Sequence, residues 1–197
     1  MLVILTGQIQ TGKTRWLQHF VEDARGKGHV VKGVLSPGIW VPDGDGGFDK
    51  IGISSHLLPD DVEMPFASKR ELDDEAHGKS MQADAAKLGW RIYDDSIQRV
   101  NDHFDALESD GFDSGDIIVV DEFGSLELIR NAGFTSALRI LDNPAVAAKE
   151  PKVIIIVRPD LIPLAIERFE PVWKDVHVLD LNVETDRAAL EELASRL

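Results

Sequence analysis

The octapeptide "GQIQTGKT", Gly7 to Thr14, follows directly on the apolar run "LVILT", Leu2 to Thr6, and opens a stretch with helical spacing that continues to Arg25. Its pattern, G-x-x-x-x-G-K-[ST], acquires physical meaning from that setting. Glycines let the backbone turn tightly so that successive N–H groups converge on one phosphate, and the following helix adds the positive end of its dipole. The spacing therefore predicts a buried strand, an anion cradle and a helix, in that order. Gly7, Gln8, Ile9, Gln10, Thr11, Gly12, Lys13, Thr14 and Arg15 are expected to surround the phosphates of a nucleotide. Lys13 would neutralise the β- and γ-phosphates, and the Thr14 hydroxyl would ligate Mg²⁺.

Working outward, four more apolar runs read as buried parallel strands: "HVVKGVLS", "DIIVVD", "KVIIIV" and "VHVLDL". Helical patterns lie between and after them, clearest over Asp94 to Leu107, Phe134 to Leu141, Leu161 to Phe169 and Thr185 to Leu197. Such alternation predicts an α/β fold, a mainly parallel open sheet covered by helices on both faces. The 197 residues are expected to form a single domain. The rhythm breaks over about 37–90, where Gly, Pro, Asp and Ser accumulate. Short alternating pieces there, "FDKIGISS" and "VEMPFAS", predict an inserted antiparallel hairpin region with a turn at "PDGDGG", Pro42 to Gly47. Lys69 to Lys87, highly charged and without apolar period, is expected to be a mobile loop.

"DIIVVDEFGSLEL", Asp116 to Leu128, ends four apolar residues on a pair of acids. Carboxylates at the C-terminal end of a buried strand stand at the edge where open α/β sheets bind ligands. Asp121 is expected to hold Mg²⁺ and Glu122, pointing the other way, to polarise a water towards the γ-phosphate. Arg158 follows the strand "KVIIIV" at the same edge and is the candidate to meet the γ-phosphate in cis; the alternative is a surface pair with Asp160 or another surface acid. Trp40, Phe48 and Trp90 could stack on a base, or complete a small core beneath a loop. The six histidines show no ligand spacing, so none is assigned to a metal.

Composition narrows the partners. Asp and Glu outnumber Lys and Arg by 35 to 21, a net charge of −14 that repels nucleic acid and anionic lipid alike. No cysteine occurs, which excludes disulfides, thiolate metal sites and thiol nucleophiles. With neither a recognisable secretory leader in "MLVILTG" nor an apolar run of about 20 residues, the cytoplasm is the expected location. No protein partner is indicated.

Taken together, "GQIQTGKT", "GVLSPG" at Gly33 to Gly38 and "VVDEFGSLEL" at Val119 to Leu128 resemble the cancer-related nucleoside-triphosphatase family, whose Asp-Glu-x-Gly-x-x-Glu-Leu signature is similar to "DEFGSLEL". The resemblance implies a phosphate-loop NTPase three-layer sandwich with an inserted hairpin region. It also implies Mg²⁺-dependent hydrolysis of nucleoside 5′-triphosphates, ATP and GTP among them, to the diphosphate and phosphate. Glu127 falls on the later acid of the signature. Many relatives carry an arginine after the second strand where "GVLSPGIW" has none, so the charge that stabilises the transition state has to come from elsewhere. A nucleotide or small-molecule kinase, or a slow nucleotide-dependent regulatory switch, remain alternatives.

Overall fold

The computed structural model describes residues 1–69 and 90–195. Its frame is a nine-stranded sheet in the order β6-β5-β4-β2-β7-β8-β1-β9, with β3 paired to β4. Five strands run parallel: β1 (Leu2–Thr6), β2 (Val31–Leu35), β7 (Ile117–Phe123), β8 (Lys152–Val157) and β9 (Val176–Asp180). Each corresponds to one of the apolar runs. β1 lies between β8 and β9 and is buried along its length, as a strand covered on both faces must be.

Alternate residues of these strands feed two cores. Leu2, Ile4, Ile118, Val120 and Ile155 point to one face, beneath α2 (Asp94–Asp110), α4 (Thr135–Leu141) and α6 (Ile162–Phe169). Val3, Leu5, Val119, Ile154 and Ile156 point to the other. There they meet Leu17, Phe20, Val21 and Ala24 of α1 (Lys13–Gly26) and Leu190 of α7 (Glu184–Ser195). The buried positions of α1 recur at three- and four-residue intervals, the period of a one-sided helix. Two shorter helices, α3 (Ser125–Arg130) and α5 (Pro144–Ala147), have no counterpart among the helical patterns read from the sequence. The architecture is the expected α/β sandwich, helix layer on sheet on helix layer.

The segment after β2 continues the same sheet. β4 (Phe48–Leu58) is eleven residues long, and its last residues pair antiparallel with β2 while its first pair with β3 (Gly38–Pro42). β5 (Val62–Lys69) and β6 (Trp90–Ile92) extend the sheet outward. The β3–β4 hairpin therefore overhangs the C-terminal end of β2. Its turn forms at the expected place, where the Asp43 side chain accepts the N–H groups of Asp45 and Gly47, both at 2.9 Å. The loop expected at Lys69 to Lys87 lies, Lys69 apart, outside the described residues. No described helix is long and apolar enough to cross a membrane.

One contact sets how closely β2 approaches β7. Gly33, with φ +127°, pairs with Val119, and a Cβ placed on it would lie 2.0 Å from the Val119 carbonyl oxygen. A Gly33→Ala substitution is expected to lower stability by about 1–3 kcal/mol or more, read from chemical denaturation, because the backbones must part to admit the methyl group.

Candidate functional site

The loop after β1 is shaped by its own short-range bonds. Gly12 caps α1 in the left-handed region, φ 88°, and so brings the first helical N–H groups round towards the loop. Gln10 also adopts a left-handed backbone, φ 64°, which costs a residue with a Cβ about 1–2 kcal/mol. The Thr11 hydroxyl donates to the Gln8 carbonyl at 2.9 Å, closing the turn from within. Ile9, at the tip, is 81% exposed. Lys13 folds back across the loop, and its ammonium donates to the carbonyls of Gly7 and Gln8, both at 2.7 Å.

Thr14, one residue further on, reaches the opposite strand. Its hydroxyl donates to Asp121 Oδ1 at 3.2 Å, although 107 positions separate the two residues. Asp121 Oδ2 accepts the Ser36 N–H at 3.0 Å, and the Ser36 hydroxyl donates to the Asp121 carbonyl at 3.2 Å. This acid is wholly buried. Burial, with the neighbouring Glu122 charge second, pushes its carboxyl up to about 7, while the bonds from Ser36 and Thr14 and the charge of Lys50 act in the opposite direction.

Glu122 is exposed where its neighbour Asp121 is wholly buried, and simple strand alternation is not the cause. Between the Val120–Ile155 and Phe123–Val157 pairs, β7 advances three residues while β8 advances two, so β7 carries a bulge at the acid pair. Glu122 takes the left-handed backbone there, φ 71°. The sequence carried no signal for this bulge. Strain of this kind persists only where surrounding pairing over-determines it.

Beneath the pair, Glu127 is buried, and its carboxylate accepts the N–H groups of Gly124 at 2.9 Å and Phe134 at 3.0 Å. It sits at the third position of α3 and reaches back to the residue capping that helix, half of a capping box. Burial raises its pKa, opposed by the same backbone bonds. Glu127 is thus a brace that fixes the chain leaving Glu122.

The positive charges come from two directions. Lys13 has its pKa lowered by burial first and then by Arg158, against the raising effect of Glu122, Asp121 and Asp180. Arg158 is exposed just past β8; its carbonyl accepts the Leu161 N–H at 3.0 Å, while its guanidinium makes no hydrogen bond or ion pair among the described residues, so the surface pair with Asp160 is not formed. Asp180, at the end of β9, accepts both the backbone N–H and the side-chain amide of Asn182 at 2.8 Å.

Beside the loop opens a cavity of about 370 Å³, lined by Thr11 and Gly12 on one side and by Arg15, Trp16, His19 and Arg187 among others. Trp16 stacks on Phe20, with centroids 5.3 Å apart, and the Arg187 Nε–H donates to the Leu181 carbonyl, which holds α7 against the cavity wall. The three aromatic residues considered for stacking stand elsewhere. Trp40 and Phe48 are exposed on the β3–β4 hairpin, and Trp90 packs at the far edge of the sheet under Lys50. No signal in the sequence united Trp16 with Arg187, which are brought together only by packing of the two end helices.

With Asp121 and Thr14 joined across the C-terminal edge of the sheet, the chain can be set beside known proteins. Its fold is similar to the crystal structure of THEP1 from the hyperthermophile Aquifex aeolicus, at 15% identity and TM-score 0.66, covering 100% of this chain and 99% of the other. It is also similar to the solution structure of a human cancer-related nucleoside triphosphatase, at 17% identity and TM-score 0.62, covering 98% and 95%. At such identities the likeness establishes the fold alone. No curated protein sequence matches the chain. The decisive match is to the NTPase family, which extends over residues 2–193 and so takes in both the loop and the acid pair. The chain belongs to the NTPase family and is a hydrolase of nucleoside triphosphates.

Proposed function

We propose that the chain is a Mg²⁺-dependent hydrolase of nucleoside 5′-triphosphates that releases the diphosphate and phosphate. The observation that carries this reading is the 3.2 Å bond between Thr14 and Asp121, with Glu122 turned out beside it by the bulge. A metal fits there on chemical grounds. Two hard oxygen donors stand together, and one belongs to a buried carboxyl whose charged form is disfavoured until a cation compensates it. Two protein oxygens suit an ion that keeps waters and substrate oxygens for its remaining positions. Bound there, Mg²⁺ would neutralise charge on the β- and γ-phosphate oxygens.

The chain's own residues do the rest. The N–H groups from Gly7 to Thr14 receive the β-phosphate, and Lys13 moves its donors from the Gly7 and Gln8 carbonyls onto phosphate oxygen. Glu122, exposed and ionisable, accepts a proton from the attacking water. Arg158, at the end of β8, takes up charge on the γ-phosphate. Glu127 keeps the peptide after Glu122 still during this exchange. The acids Asp121 and Glu122 therefore divide the work, one for the metal and one for the proton.

The nucleoside goes into the cavity beside the loop. That volume lies within the range of small-molecule pockets and begins at Thr11 and Gly12, where the phosphates end. Its wall carries the rings of Trp16 and His19, the guanidinium groups of Arg15 and Arg187, and Leu181 and Glu191 beside them. This composition supports loose base preference.

Lys13→Ala is expected to abolish most nucleotide affinity, measured by titration with Mg²⁺ and ATP. Glu122→Gln is expected to bind normally and to lose turnover by ~10²-fold or more, as for a missing general base. Phosphate release by Glu122→Gln at the parental rate would remove that role. Release only when an acceptor is added would favour a kinase, and binding with no release over hours a switch. For the cavity, Arg187→Ala is expected to raise KM for ATP several-fold and to leave inorganic tripolyphosphate, which has no nucleoside, unchanged. Equal effects on both substrates would place the nucleoside elsewhere.

A further inference from the structure

Three carboxylates, Asp121, Glu122 and Asp180, act on Lys13, and Arg158 is the other cation acting there. A triphosphate with one Mg²⁺ is still an anion, and the chain around the site has a net charge of −14. Stabilising further charge as the γ-phosphoryl group departs requires local cations, since the protein's overall field opposes it. One such cation stands on the overhanging hairpin.

Lys50 lies in β4 opposite Trp40. The pairing shifts just beyond it, because Ile39 faces Gly52 while Trp40 faces Lys50, so Ile51 is an extra residue. This second bulge resets the alternation of β4 and brings Lys50 over Gly38. The stem and the Trp40 indole share the space left by the missing side chain there: a Cβ on Gly38 would lie 2.7 Å from Trp40 Nε1 and 2.8 Å from Lys50 Cε. The ammonium stands 5.3 Å from the centre of the Trp90 ring, a cation–π contact that supports it from the outer side. Gly38 is only two residues, about 7 Å of extended chain, beyond Ser36, whose N–H holds Asp121 at 3.0 Å. The charge of Lys50 is also felt at Asp121, where it favours the carboxylate.

The strand order gives this position its meaning. Glu122 is on β7, Arg158 follows β8 on one side of it, and Lys50 extends from the hairpin beyond β2 on the other. We propose that Lys50 is the second cation of the γ-phosphate, reaching it from the hairpin side while Arg158 reaches it from β8. The proposal rests on the hydrolase reading. In the step it serves, water oxygen bonds to the γ-phosphorus as the bond from that phosphorus to the bridging oxygen breaks. The water proton passes to Glu122, the electron pair leaves with the diphosphate, and Lys50 offsets charge on the transferred group's outer oxygens. Of the two cations flanking Glu122, this one comes from a segment with no positive charge between Gly33 and Asp49, so only the bulged register brings it in.

The test compares Lys50→Met, which keeps a stem over Gly38 and Trp90 without the charge, and Lys50→Arg with the parent. Phosphate release from Mg²⁺–ATP, binding of ATP and of ADP, and the thermal midpoint are measured for each. Lys50→Met is expected to lower kcat by at least ~10-fold, as for loss of one transition-state donor. It is also expected to reduce the preference for ATP over ADP, with ADP affinity and midpoint unchanged; Lys50→Arg is expected to restore most of both. A kcat within about two-fold of the parent overturns the proposal. So does an equal loss of ATP and ADP binding with a lowered midpoint, the signature of a merely structural lysine. If the parent releases no phosphate from any nucleoside triphosphate, the hydrolase reading fails by itself, and the ATP-to-ADP ratio still decides whether Lys50 senses the third phosphate.

Discussion

A carboxyl group without exposed surface cannot stand at the edge of a sheet unless its oxygens are occupied, and Asp121 fulfils that condition with groups from two other elements. Thr14 binds it from the first turn of α1 and Ser36 from the end of β2. Those bonds set the distance between the phosphate loop and the acid pair, and hence the room between them. They also require β2 and β7 to be in register over four residue pairs, which close backbone approach at Gly33 permits. Burial makes the charged form of this carboxyl costly, which is why the group is pushed up to about 7 despite the bonds it accepts.

Around that fixed point, two bulges do the aiming. The one in β7 gives Glu122 a backbone that few residues with a Cβ adopt, and the one between β3 and β4 turns Lys50 onto the face above Gly38. The first lies one pair from the end of the β7–β8 ladder, and the second lies within the β3–β4 hairpin, with pairing continuing on either side of it. A bulge there redirects one side chain without disturbing the strands behind it, whose alternate residues continue to fill the two cores.

The sequence disclosed what one contiguous signal can carry. β1, its loop and α1 are legible because glycine spacing, the lysine and the flanking periods occur within about two dozen residues, and Asp121 is legible because it ends an apolar run. The segment 38–69 shows its alternation but not its place, since nothing local says that β4 will pair with β2. Ser36, Lys50 and the cavity beside Trp16 depend on register between segments distant in the chain, and pairing of that kind leaves no period to read. Glu127 has the spacing of a capping box, yet its acceptance of the Phe134 N–H depends on a loop seven residues away. The charges of the site were therefore partly visible as residues and invisible as an arrangement.

Lys13 gives the loop a further property. Its ammonium spans the carbonyls of Gly7 and Gln8, so the two oxygens that would otherwise repel an approaching anion are masked by the same group that attracts it. An incoming ligand has to outcompete both carbonyls for one cation. A singly charged anion such as chloride, offering a single shallow contact, gains little by that exchange, whereas a polyphosphate supplies several oxygens and several negative charges together. Under the proposed function the lysine would act as a threshold, with selection for polyphosphate beginning at an internal competitor the loop carries itself.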